Sequence, residues 1–214
     1  MRPGTHWRPA QGEATVTLLL RHGQTPMSVL KRYAGRSDAP LTDVGVQQAA
    51  AAAKRLASAS LGVIVSSPLL RAVQTAQEVA AVNGAAVVTD DGFREAVFGA
   101  WEGMTFAEVR ERWPAELATW LADPAVEPPG GESFTDVSAR VTAALHRVLA
   151  ARAGQTVLIV SHVTPIKMLV ATALLAPPAA LYRMHLDVAA LCEIDWYADG
   201  PAVLRSFNDT GHLS

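Results

Sequence analysis

Short, mostly apolar runs that end abruptly in polar residues constrain the fold of this chain more than any other feature. The run 16–20 leads into Arg21-His22-Gly23, the run 62–66 into Ser67-Pro68, and the run 156–160 into Ser161-His162. Five-residue apolar runs without strict alternation read as strands buried on both faces. Helix-period segments separate them. Strands alternating with helices predict a mostly parallel sheet covered on both sides, an α/β fold. In such folds ligands sit at the carboxyl ends of the strands, where these polar clusters fall.

The intervening segments carry their own start and stop signals. Thr42 caps a helix that runs through the alanine block 49–53 to about residue 57, with Leu41, Val44 and Leu56 giving core contacts. Ser67 as cap and Pro68 at the first helical position open a helix over 68–82, which Asn83-Gly84 ends before a strand at 86–89. The segment 90–103 reads as irregular. Thr105 and Glu108 have the form of a capping box, and Pro114 restarts helix to about residue 121. A loop with three prolines and two glycines fills 124–131. Ser133 opens a long helix with Phe134, Val137, Val141, Leu145 and Val148 on one face. Pro165 starts the next helix. Two late strands, 189–197 and 202–207, flank the turn 198–201 as an antiparallel edge. Residues 1–14 read as a tail or linker remnant carrying His6 and Trp7, and residues 15–214 as one domain.

Bulk properties exclude several function classes. A net charge of -2 gives no field for nucleic acid or an anionic membrane. The apolar segment 168–176 stops at Pro177-Pro178, short of a membrane span. No signal peptide is visible, so a cytoplasmic location is expected. Cys192, the one cysteine, lies in an apolar run and reads as a buried, inert thiol. His6, His146, His185 and His212 make no metal-ligand spacing, and neither a metal nor another cofactor is expected. The expected partner is a small phosphorylated substrate. Oligomeric state stays open, with a dimer among the options.

The first polar cluster suggests phosphate chemistry. Arg21 is a rigid donor fork suited to phosphate oxygens, His22 can be a nucleophile toward phosphorus, and Gly23 lets the backbone approach a ligand. Alone the triplet is a weak signal. Its company is Ser66-Ser67-Pro68-Leu69-Leu70-Arg71, Arg94-Glu95 and Val160-Ser161-His162. Together these resemble the histidine phosphatase superfamily, which includes the cofactor-dependent phosphoglycerate mutases, over residues 15–213. The resemblance implies a three-layer α/β/α sandwich.

It also implies roles. His22 is the nucleophile and becomes a phosphohistidine. Arg21 and Arg71 neutralise the phosphate, and His162 hydrogen-bonds a non-bridging oxygen. Glu95 donates the proton to the leaving oxygen, with Glu102 as rival candidate and loop organiser. Gln24 and Ser28 stand where the family often has glutamate and asparagine. They join Thr25, Gly35 and the Val163 backbone N–H as expected substrate-binding positions. Val163 follows the second histidine where glycine is common, and it excludes an acid there. The stretch Arg94-Glu95-Ala96-Val97-Phe98-Gly99 lacks the Glu-Arg-His-Tyr segment of the mutases, which favours a phosphatase. An inactive phospho-ligand binding module is the rival from another class. Within the phosphatases the motifs look closest to α-ribazole-phosphatase-like acid phosphatase domains, which in actinobacteria can follow a ribonuclease H domain in one chain. Substrate walls are expected from 28–36 and 98–131, with Phe98, Trp101, Phe106, Trp113 and Trp120, and with 124–131 as a moving rim.

Overall fold

The computed structural model describes residues 12–214. Most of the expected tail, with His6 and Trp7, lies outside the described residues, and Ala14 already belongs to a strand. Six strands form one sheet: β1 (Ala14–Arg21), β2 (Leu61–Ser66), β3 (Val87–Thr89), β4 (Thr156–Ser161), β5 (Leu191–Tyr197) and β6 (Ala202–Asp209). Their order is β3-β2-β4-β1-β5-β6. The first four in that order run parallel, while β5 and β6 add the antiparallel edge.

Helices cover both faces because the central strands are apolar on both. On one face α2 (Asp43–Arg55) and α3 (Leu70–Asn83) pack on Leu20, Ile64, Leu158 and Val160. On the other, α6 (Phe134–Ala151) and α7 (Val163–Ala173) pack on Leu19, Val63, Val157 and Ile159. The short helices α4 (Phe106–Arg112) and α5 (Pro114–Ala122) extend that second layer through Val109, Leu117 and Trp120. All five residues predicted for the inner face of α6 are buried. The chain is therefore the expected three-layer α/β/α sandwich.

Three local expectations are corrected. Val44 is exposed, because α2 buries the small residues Gly45, Ala49, Ala52 and Ala53, and Val44 falls beside that stripe. Helix α3 starts at Leu70, not Pro68. Ser67 N–H donates to Val160 O and prolongs the β2–β4 ladder, which leaves Leu69 as an extended cap. Helix α7 starts at Val163, since Ile166 N–H already bonds His162 O; Pro165 is its third residue, where no N–H is required. A short helix α1 (Pro26–Val29), not anticipated, is closed by a reciprocal capping box between Thr25 and Ser28.

Candidate active site

Register brings the two histidines together. Arg21 of β1 lies opposite Ser161 of β4, so His22 and His162 leave adjacent parallel strands side by side. Their ring centroids are 5.1 Å apart, and both side chains are buried. Arg71 reaches them from the first turn of α3. Its Nε–H donates to His22 Nε2 at 3.3 Å, while Nη1 and Nη2 donate to Ser37 O at 2.6 Å and Gly35 O at 3.0 Å. Arg21 Nη1 donates to Leu186 O at 2.6 Å. Arg21, His22, Thr25, Ser28, Arg71, Glu95 and Val163 line one cavity of about 330 Å³.

The hydrogen bonds assign the His22 tautomer. Nδ1 lies 2.7 Å from Gly23 O, an acceptor only, so Nδ1 carries the proton. Nε2 then presents its lone pair, as the Arg71 donor beside it requires. Burial, Arg21 and Arg71 all push the His22 pKa well below the ordinary imidazole value, so the ring is neutral. Burial, Arg71 and His22 do the same to His162. Arg21 falls to about 10 through burial, opposed by Glu95 and Asp187, and remains a cation at neutral pH. Two buried polar atoms in this cluster, Arg21 Nε and His162 Nδ1, have no partner among the described residues.

The remaining expected site residues divide by geometry. Thr25 is buried at the cavity; its Oγ1 accepts from Ser28 N–H, leaving its own O–H to give. Ser28 lines the cavity, but its hydroxyl donates to Thr25 O at 2.8 Å in the capping box. Gln24 turns away from the lining, with Oε1 accepting from Thr42 Oγ1 at 2.9 Å. Gly35 acts through its backbone as an acceptor for Arg71, and at φ +43 its missing Cβ makes room for the Glu102 carboxylate. Glu102 accepts from Arg36 N–H at 3.1 Å, the loop-ordering task expected of it. Gly23 serves packing: a Cβ there would collide with Gly45 O at the start of α2.

Sequence reasoning missed Ser67, read as a helix cap. Its Oγ lies 2.7 Å from His162 Nε2. The serine directly follows a strand beside β4, which is the one signal that could have found it. Of the expected walls, the stretch 28–36 lines the cavity through Ser28, Lys31, Arg32, Tyr33 and Ala34, and 98–131 through Phe98, Phe106 and Trp120; Phe134 joins them. Trp101 is instead fully buried in the core, and Trp113 packs against that core. The loop 124–131 supplies no lining residue; Pro129 O accepts from Ala100 N–H beneath the wall. Cys192 is buried, and its thiol is pushed up to about 11. Among the described residues no cluster of three or more His, Cys, Asp or Glu could hold a metal ion, and no helix is long and apolar enough to cross a membrane.

Comparison with known proteins bears on the family. A bifunctional protein of Mycobacterium tuberculosis is 50% identical over 208 residues, covering 97% of this chain. The chain spans only 57% of that relative's length. A probable phosphoglycerate mutase of Yersinia pestis is 34% identical over 203 residues, covering 91% of this chain and 93% of the relative. Among solved structures, a mycobacterial glucosyl-3-phosphoglycerate phosphatase complexed with VO3 superposes with a TM-score of 0.85 at 31% identity, covering 92% of this chain and 100% of that one. A putative α-ribazole-5'-P phosphatase of Escherichia coli gives 0.84 at 28% identity, covering 92% and 97%. The model of the histidine phosphatase superfamily (branch 1) matches residues 17–210, and the chain belongs to that superfamily.

Proposed function

We propose that this chain is a phosphomonoesterase that works by two in-line transfers through a phosphohistidine on His22. The observation that carries the reading is the neutral His22 ring, with its Nε2 lone pair fixed beside Arg71 in a buried cationic cluster. In the first transfer Nε2 attacks phosphorus and the ester P–O bond breaks. The Arg71 Nε–H passes from Nε2 to a phosphoryl oxygen as the lone pair turns to phosphorus. Arg21 Nε and the Val163 N–H at the start of α7 take further oxygens. Ser67 donates to His162 Nε2, which puts the proton on Nδ1 and aims it at the phosphoryl group. Glu95 gives its proton to the leaving alkoxide. In the second transfer water attacks the phosphohistidine, Glu95 takes the proton, and the P–N bond breaks. Positioning and charge supply most of the catalysis, and no metal ion enters either step.

Rapid acid quench with labelled substrate should trap an acid-labile, base-stable phosphoenzyme that His22→Ala abolishes. Activity lost to EDTA and restored by magnesium would refute the reading.

For the substrate, the proposal is a small phosphate ester, with α-ribazole phosphate the best single candidate. Arg21, Arg71 and His162 address only the phosphate, so discrimination falls to Tyr33, Phe98 and Phe106. The structural likeness to a putative α-ribazole-5'-P phosphatase supports this choice. A kcat/KM panel of α-ribazole phosphate, phosphoglycerates, sugar phosphates and p-nitrophenyl phosphate tests it. Preference no greater than for the aryl ester would leave a broad-specificity acid phosphatase, the second reading. That reading is favoured by the mycobacterial relative, which is bifunctional and much longer than this chain.

A further inference from the structure

Glu95 sits in an irregular segment; its Oε1 accepts from Ala96 N–H at 2.8 Å, so the carboxyl is fixed only as well as the backbone around it, and something other than a strand or helix must fix that backbone. Four consecutive carbonyls around it are taken by side chains. Ser161 Oγ donates to Phe93 O at 2.7 Å, from the residue that precedes His162. Arg140 of α6 takes the other three. Its Nη1 donates to Gly92 O at 2.9 Å and Arg94 O at 2.8 Å, and its Nη2 to Glu95 O at 3.1 Å. The rest of the guanidinium is held by Glu132, at 2.6 Å from Nε and 2.9 Å from Nη2. Every guanidinium N–H is used, and the fork geometry is rigid. Glu132 N–H also donates to Val97 O, so the same pair grips the segment on both sides of Glu95. Arg140 does not line the cavity around His22.

We propose that Arg140, oriented by Glu132, is a positioning residue that sets the Glu95 carboxyl for proton transfer. The inference rests on Glu95 being the proton donor. It predicts a loss that depends on the leaving group, because an alkoxide needs the proton and a nitrophenolate does not. General acid catalysis carries about 10²–10⁴-fold. Arg140→Met should forfeit part of it, about 10–100-fold in kcat/KM on an alkyl phosphate, with less than about threefold on p-nitrophenyl phosphate, because kcat/KM reports the first transfer and not the hydrolysis of the phosphohistidine that both esters share. Arg140→Lys should restore part of the loss, since an ammonium keeps the charge but not the fork. The double variant with Glu95→Gln should be no slower on the alkyl ester than Glu95→Gln alone.

Glu132→Gln keeps the shape of the clamp and tests the same point if Arg140→Met does not fold, with a smaller loss in the same direction. Equal losses in kcat/KM on both substrates in the folded variants would overturn the proposal. If Glu95→Gln itself showed equal losses, the proton-donor reading would fall and this one with it. If Glu95→Gln discriminated and the clamp variants did not, the positioning proposal alone would fall.

Discussion

The His22 imidazole is kept neutral by its surroundings, and this has a consequence for stability. Burial and cations depress the pKa of His22 and of His162 below 6.5, while in the unfolded chain both titrate near that value. Below pH 6.5 the unfolded state therefore binds more protons than the native state, so stability is flat above that pH and falls as pH drops through it. Each such histidine contributes a slope of at most about 1.4 kcal/mol per pH unit. Urea midpoints between pH 5 and 8, read as rough limits of the window, should show this decline, and His22→Gln should flatten it. At the carboxyl of the site, Glu95→Gln should lower kcat/KM for alkyl phosphates by about 10²–10⁴-fold and spare kcat/KM for p-nitrophenyl phosphate. Glu102→Gln should show no such selectivity, because Glu102 ties Arg36 N–H and Phe98 N–H to one oxygen and orders the wall.

At the scale of elements, the junction between β1 and α2 is a contact of two glycines. Gly23 and Gly45 lie back to back, and a Cβ on either would meet the other segment's carbonyl oxygen. Gly23→Ala and Gly45→Ala should each cost about 1–3 kcal/mol in denaturant unfolding, through overpacking that pushes α2 from the strand end. Activity should fall with stability in both, since His22 adjoins Gly23. The contrast is Gly84, which caps α3 at φ +84 with open space around it, where alanine should cost only about 1 kcal/mol. The α4 capping box is a second element with a stake in the site. Thr105 caps α4, Glu108 answers it and pairs with Arg32 at 2.8 Å, and the helix presents Phe106 to the cavity. Thr105→Ala should destabilise by about 0.5–2 kcal/mol and raise KM more than it lowers kcat.

Over the whole molecule, the site is a buried cluster of cations and neutral imidazoles, which on the proposed function a phosphate group completes. Inorganic phosphate should therefore stabilise the folded chain, by about 2.7 kcal/mol at one hundred times its Kd. Arg71→Ala should abolish most of that shift, read as Tm against phosphate concentration. The alternation of apolar runs and helices was legible in the sequence because local periodicity is set by the backbone geometry of each element. So were the caps at Thr42, Thr105 and Ser133, since a cap is a contact within four residues. The motifs also made His22, Arg71 and His162 stand out. Their meeting could not be read locally: it depends on β1 and β4 being neighbours in register, a pairing between distant segments. For the same reason Ser67 does not cap α3, since the β4 ladder extends through it and its hydroxyl, which accepts from Leu69 N–H, meets His162. The grip of Arg140 on Glu95 depends on how α6 packs across the sheet, and no spacing within α6 announces it. Short-range order in this protein follows from its residue pattern, whereas the chemistry follows from long-range pairing, which fixes the tautomer, the charge and the aim of each group.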